Sequence, residues 1–291
     1  MIDRPELGAY LRARREALQP SDVGLPPGQR RRTAGLRREE VAALCHMSAD
    51  YYARLERGTG PQPSEQMVAA IAQGLHLSRA ERDHVFRLAG HRPPESGAGS
   101  DHVGPGMMRI FDRLVDTPAE VVTELGETLL QTPLAAALFG DASQRHGPSR
   151  SIGWRWFTEP GARDLFPPED RDTTARLYVS SLREVATRRG AGSRAAQLAD
   201  ELLQRSDEFR ALWDRHEVLQ RSDEFRALWD RHEVGLVPGS VKRYDHPEVG
   251  RIELHCQVLL DPEQAHVLLV YTAIPGTESH DRLRLLSVVA A

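Results

Sequence analysis

Between Leu36 and Gly58 the chain reads LRREEVAALCHMSADYYARLERG, and this stretch restricts the possible folds more than any other. Leu36, Val41, Ala42 and Leu44 form an apolar stripe at helical spacing, CHMS interrupts it, and Tyr52 and Leu55 resume it. Ser48 stands where an N-cap is needed, its hydroxyl placed to accept from a first-turn amide. Gly58 supplies the stop. Two short helices joined by a tight turn predict a helix-turn-helix.

The flanks agree with this. PELGAYLRARREAL sets Leu7, Leu11 and Leu18 on one face of a preceding helix, and the amphipathic segments SEQMVAAIAQGLHL and SRAERDHVFRLAG follow the motif. Between the first helix and the motif, QPSDVGLPPGQRRRTAG reads as a loop with three successive arginines, Arg30, Arg31 and Arg32. Charge is distributed unevenly. Up to Glu95 there are 15 arginines and 12 acidic residues, a balance of +3, which leaves 23 basic and 30 acidic residues after it, or −7. A basic head on an acidic body is the pattern of a nucleic-acid-binding domain joined to something else. A single lysine, Lys242, accompanies the arginines, so positive charge comes almost entirely as guanidinium, suited to phosphate and base edges.

LRREEVAALCHMSADYYARLERGTGPQPS resembles the core of the xenobiotic-response-element (Cro/C1-type) regulators, and PSDVGLPPGQRRRTAGLRREEV with DYYARLERG narrows the resemblance to the MmyB-like group. The resemblance covers nearly the whole chain. It implies a five-helix bundle whose second motif helix enters the major groove of double-stranded DNA, with Ala49, Asp50, Tyr51 and Arg54 towards base edges and Arg38 at the start of the preceding helix. Ser48 belongs to the same surface, and Arg30, Arg31, Arg32 and Arg57 are the phosphate candidates. A solvated helix face is the plainer reading of any one of these arginines. The resemblance also pairs Glu56 with Arg15 in a buried ion pair, and it places a PAS-like ligand-binding domain after the DNA-binding one.

The residues support that order of domains. GHRPPESGAGSDHVGPG is rich in Pro, Gly and Ser and reads as a linker, giving a first domain at 1–90, a linker at 91–106 and a second domain at 107–291. AEVVTEL and ETLLQT read as strands turning at Gly126, Thr132 caps a helix opening on Pro133, and residues 152 to 234 are helical by period. SVKRYDH, RIELHCQVLL and HVLLVYTAI form a closing meander in which Ile252, Leu254, Cys256, Val258 and Leu260 share a face. The expected class is α+β: an all-α helix-turn-helix bundle, then a five-stranded antiparallel sheet with helices on one face.

Such a sheet can enclose a small molecule against its helices. Leu129, Leu138, Phe139, Trp156, Phe157, Trp213, Val258 and Tyr271 are the candidate lining, each of which also suits plain core. The resemblance implies a small apolar, fatty-acid-like ligand, although Gln131 and Thr132 stand where its members usually have a Trp-Asn pair. Trp154 and Trp156 lie about 200° apart on a helix, so one core face should not take both. Neither Cys45 nor Cys256 has ligand or redox spacing, and both are expected as buried thiols in a reducing compartment. His246, His255 and His266 are too scattered to share a metal, and no nucleophile elbow, P-loop or dinucleotide fingerprint is present, so no cofactor and no enzyme is expected. The N-terminus is acidic and no apolar run reaches membrane length, which predicts a cytoplasmic protein without membrane contact.

LQRSDEFRALWDRHEV occupies 203–218 and recurs unchanged at 219–234. Within one copy Ser206 suits an N-cap, and Phe209, Leu212, Trp213 and His216 share a helix face. Sixteen residues rotate a continuous helix so that the second stripe lies about 160° from the first, so two helices broken near Leu219 are expected. One copy fills the family position, and the other is expected at a contact between protomers of a homodimer, the alternative being a recent tandem duplication tolerated as an insertion. These readings converge on a regulator that binds an inverted-repeat operator as a homodimer under control of a small-molecule effector. The alternative is a DNA-bound scaffold that dimerises or recruits a protein partner without any ligand.

Overall fold

The computed structural model describes residues 2–26, 35–94, 101–142, 144–219, 241–261 and 265–289. It divides into two compact units, Met1–Arg113 and Leu114–Ala291. Arg30, Arg31 and Arg32, and the second copy of the doubled phrase from residue 220 on, lie outside the described residues.

The first unit contains α1 (Arg4–Ala17), α2 (Arg38–Leu44), α3 (Ala49–Glu56), α4 (Glu65–Gly74), α5 (Arg79–Leu88) and α6 (Pro105–Phe111). Four of them begin where a side-chain oxygen satisfies a free first-turn amide: Asp3 for Glu6, Ser48 for Tyr51, Ser64 for Met67 and Ser78 for Glu81. Leu7, Leu11, Leu36, Val41, Tyr52, Leu55, Ile71 and Phe86 meet in one core with Cys45. Between α2 and α3 the chain reverses through His46, whose φ of 51° is the left-handed conformation a turn this tight requires.

The domain boundary differs from the sequence reading. Val103 is buried and its amide donates to Gln73 Oε1 at 3.0 Å, while His102 Nε2 donates to the Leu77 carbonyl at 2.7 Å. Helix α6 packs on the 3-10 turn Pro20–Val23 and belongs to the first unit, so the division falls after Arg113 rather than at 107. Composition misled here, because a short amphipathic helix carries no mark of which core it joins.

The second unit holds β1 (Ala119–Thr123), β2 (Thr128–Gln131), β3 (Val241–His246), β4 (Gly250–Asp261) and β5 (His266–Thr272) in one antiparallel sheet ordered β2-β1-β5-β4-β3. Register places Val122, Val267, Leu269, Tyr271, Cys256, Ile252 and Tyr244 on a common face. Onto that face pack α7 (Pro133–Phe139), capped by Thr132 as expected, and α12 (Glu278–Val289). Where β5 ends, α12 takes over: Ser279 Oγ accepts from the Glu253 amide at 2.9 Å. Leu260, expected on the inner face, is 72% exposed, one residue before β4 ends at Asp261.

Helices α8 (Ile152–Thr158), α9 (Pro168–Arg189), α10 (Arg194–Arg205) and α11 (Asp207–Leu219) form a second cluster. Trp154 and Trp156 are both buried in it, against expectation. Helix α8 is held between α9 and α10, so Trp156 meets Tyr178 on one side while Arg205 covers Trp154 on the other. The first copy of the doubled phrase closes α10 and forms α11, with Ser206 Oγ accepting from Phe209 N at 3.1 Å and Phe209 fully buried. No helix among the described residues is long and apolar enough to cross a membrane.

Candidate functional site

Two surfaces carry the chemistry, one in each unit. In the first, α3 turns Tyr52 and Leu55 into the core and leaves Ala49, Asp50, Arg54 and Arg57 exposed, with Ala53 half-exposed among them. Asp50 and Arg54 face each other at 3.4 Å one turn apart. Ser48 is occupied as the cap, accepting from Tyr51 N at 3.2 Å. Tyr51 lies half-buried against the core, with the Arg54 guanidinium 6.0 Å from its ring centre.

Beneath this surface, Glu56 binds three donors. Arg15 Nε donates at 2.5 Å and Arg15 Nη2 at 3.4 Å, which realises the pairing the resemblance implied, and Arg38 Nε donates at 2.7 Å. Arg15 is fixed further by donating to the Leu36 carbonyl at 3.0 Å. Arg38, read as a base contact, therefore has one edge committed to Glu56, while 44% of its side chain stays exposed at the N-terminus of α2. Arg37, exposed beside it, was not singled out, although the doubled arginine before EEV was the available signal.

In the second unit a cavity of about 320 Å³ lies between the inner face of the sheet and the helices. Its position follows from the β1-β2 hairpin. Gly126 turns there with φ of 68°, Ile152 N donates to its carbonyl at 3.1 Å, and Ser151 both donates to the Leu125 carbonyl and caps α8. The start of α8 is thereby pinned to the hairpin tip, and space remains behind it. Of the expected lining, Phe139, Phe157 and Tyr271 are on the wall.

The remaining candidates sit elsewhere. Trp156 packs behind Phe166 and Tyr178, and Trp213 lies under the Arg183 guanidinium, 4.2 Å from its ring centre. Leu138 is buried against the α12 side, while Val258 packs half-buried at the margin of that cluster. Leu129 is displaced by a bulge: Val121 pairs with Leu130 but Val122 pairs with Thr128, so Thr128 takes the cavity side. Trp154 is on the wall instead of Trp156.

Sequence reasoning missed the polar part of the wall. Glu120, Gln131, Arg145, Arg155, Glu159, Tyr178 and Lys242 all contribute to it. Gln131 Nε2 donates to Glu120 Oε1 at 2.9 Å, and the rest of its amide is held by the Gly140 carbonyl and the Ala142 amide. Burial pushes the Glu120 carboxyl up to about 7, opposed by the Gln131 hydrogen bond and the Arg155 charge. Arg145 pairs with Glu159 at 2.9 Å, and Arg155 donates to the carbonyls of Ser149 and Arg150. Alternation hid Glu120, since β1 buries Ala119 and Val121 on its other face and a glutamate between them reads as outward.

Fold and sites together define a helix-turn-helix DNA-binding protein with a separate domain that encloses space for a small molecule. Comparison with family models agrees: a helix-turn-helix domain matches residues 6–85, and the MmyB-like transcription regulator ligand binding domain matches 103–223 and 217–286, more than half of the chain. The chain belongs to the MmyB-like transcription regulators. No curated protein matches it.

Proposed function

We propose that this regulator binds an inverted-repeat operator as a homodimer and that a small amphipathic molecule in the second unit alters the affinity. The observation that carries this reading is the cavity between sheet and helices on the same chain as an exposed second motif helix. One face of a five-stranded sheet closed over by helices also supports reading the second unit as PAS-like. In the DNA complex the first turn of α3 lies in the major groove. Arg54 reads a base edge, Ala49 and Ala53 allow close approach, and the α2 N-terminus with Arg37 and Arg38 meets phosphate. Two such helices span half-sites about one helical turn apart.

The test is fluorescence anisotropy on the promoter region of its own gene, with native mass spectrometry of the same preparation. Arg54→Ala is expected to lose about 1–3 kcal/mol of discrimination between operator and unrelated DNA. Arg37→Ala is expected to weaken both DNAs alike. Binding that ignores sequence, or a monomer on the operator, contradicts the proposal. A dimer that binds the operator and is unaffected by any metabolite would favour a scaffold without ligand.

A further inference from the structure

The cavity contains an acid and a base that do not neutralise each other. Glu120 enters from β1 and Arg155 from α8, and both are on the wall. Each senses the other's charge, yet among the described residues no ion pair joins them. Their hydrogen-bond partners are neutral, although Arg155 also senses the opposed charges of Arg145 and Glu159. Among the described residues the hydrogen bond to the Glu120 carboxylate comes from Gln131, whose own amide is locked at both ends, and Arg155 gives one nitrogen to two backbone carbonyls. The other carboxylates of the wall are already satisfied within the protein, Glu159 by Arg145 and Glu124 by Arg188 and Arg189. Lys242 stands on β3, three strands from β1 in the sheet order, about 14 Å away at the usual strand spacing.

Glu120 and Arg155 are half-buried, and unmatched charges that are partly desolvated are unfavourable unless something pairs with them. A carboxylate head would suit Arg155 but meet Glu120, and an ammonium head would suit Glu120 but meet Arg155. A head that donates on one side and accepts on the other satisfies both. Resting on the reading of this cavity as the effector site, we infer that it selects an uncharged amphipathic ligand with a carboxamide or alcohol head over a free fatty acid, Glu120 and Arg155 being the two head-group anchors.

The groups facing Glu120 decide how this selection responds to pH. They are Gln131 of β2, Arg155 of α8, Tyr178 of α9, Tyr244 of β3, Cys256 of β4 and Tyr271 of β5. Burial raises the three phenols and the thiol further above neutrality, so Glu120 alone among them changes charge between pH 6 and pH 8.

Octanamide, octanol, octanoate and octylamine, titrated into the full chain by calorimetry at pH 6 and pH 8, provide the test. Octanamide and octanol are expected to bind with little pH dependence. Octanoate is expected to weaken about tenfold from pH 6 to pH 8 as Glu120 ionises, since a carboxyl titrating at about 7 goes from roughly one-tenth to nine-tenths charged. Glu120→Gln, nearly isosteric, is expected to abolish that pH dependence and to raise octanoate affinity at pH 8. Circular dichroism checks that the variant is folded. Octanoate or octylamine binding at pH 8 as tightly as octanamide overturns the inference, as does an acid-to-amide ratio unchanged by Glu120→Gln. Both outcomes leave the effector cavity in place, whereas no binding by any of the four probes removes the cavity reading as well.

Discussion

At Glu56 a single carboxylate, with no exposed side-chain surface, satisfies two guanidinium groups from different helices. Removing it leaves Arg15, 6% exposed beneath α3, with only the exposed Glu16 carboxylate at 3.1 Å to balance its charge. Glu56→Ala is expected to destabilise the first unit by about 3–5 kcal/mol in urea unfolding, whereas replacing both partners by well-packed apolar residues is expected to cost far less. The Arg15 partnership was available from the sequence only through the family resemblance, and Arg38's share was not available at all. Fifteen arginines in the first 95 residues offer too many partners for one glutamate. Glu120 presents the opposite case. Its folded form holds a proton up to about 7, the ordinary carboxyl only to about 4.5, so the parent loses stability as pH rises through that interval and regains none above it. Glu120→Gln is expected to match the parent near pH 4 and to exceed it by about 3 kcal/mol at pH 8, read from urea midpoints at the two pH values.

Helix starts were the most legible elements, because a cap is a local bargain between one side chain and one amide. Ser48, Thr132 and Ser206 each accept from the backbone amide three residues on. Contacts between elements were not legible. Gly8 lies in mid-helix with nothing in the sequence to single it out, yet a methyl group there would stand 2.5 Å from the Glu56 carbonyl oxygen and 2.9 Å from that of Leu55. Gly8→Ala is expected to cost about 1–3 kcal/mol and to weaken operator binding, because α1 must retreat from the end of α3. Thermal unfolding and anisotropy read the two effects. Gly106→Ala, with nothing within 4 Å of the new methyl group, is the control and is expected to be neutral or slightly stabilising. The bulge that displaces Leu129 and the sandwiching of α8 that buries both tryptophans belong to the same class: each depends on what a neighbouring element does.

Across the whole chain, the doubled phrase is the one unexplained repeat in the sequence. The two family matches, 103–223 and 217–286, meet within it and overlap there, which is consistent with a family arrangement that uses the phrase once. Its first copy already supplies α11 and the fully buried Phe209. Deleting residues 219–234 is therefore expected to preserve the unfolding transition of both units and, on the homodimer proposed above, to shift the native mass from dimer towards monomer and lower the operator affinity. An unchanged dimer with unchanged affinity would make the second copy a passive duplication. The order of domains, the strands, the capped helices and the DNA-reading motif could all be read from the chain, since periodicity and caps are properties of neighbouring residues. Which domain α6 joins, which aromatic residues face the cavity and the presence of an unpaired acid and base inside it could not. Those depend on distances between residues far apart in sequence, and only packing sets such distances.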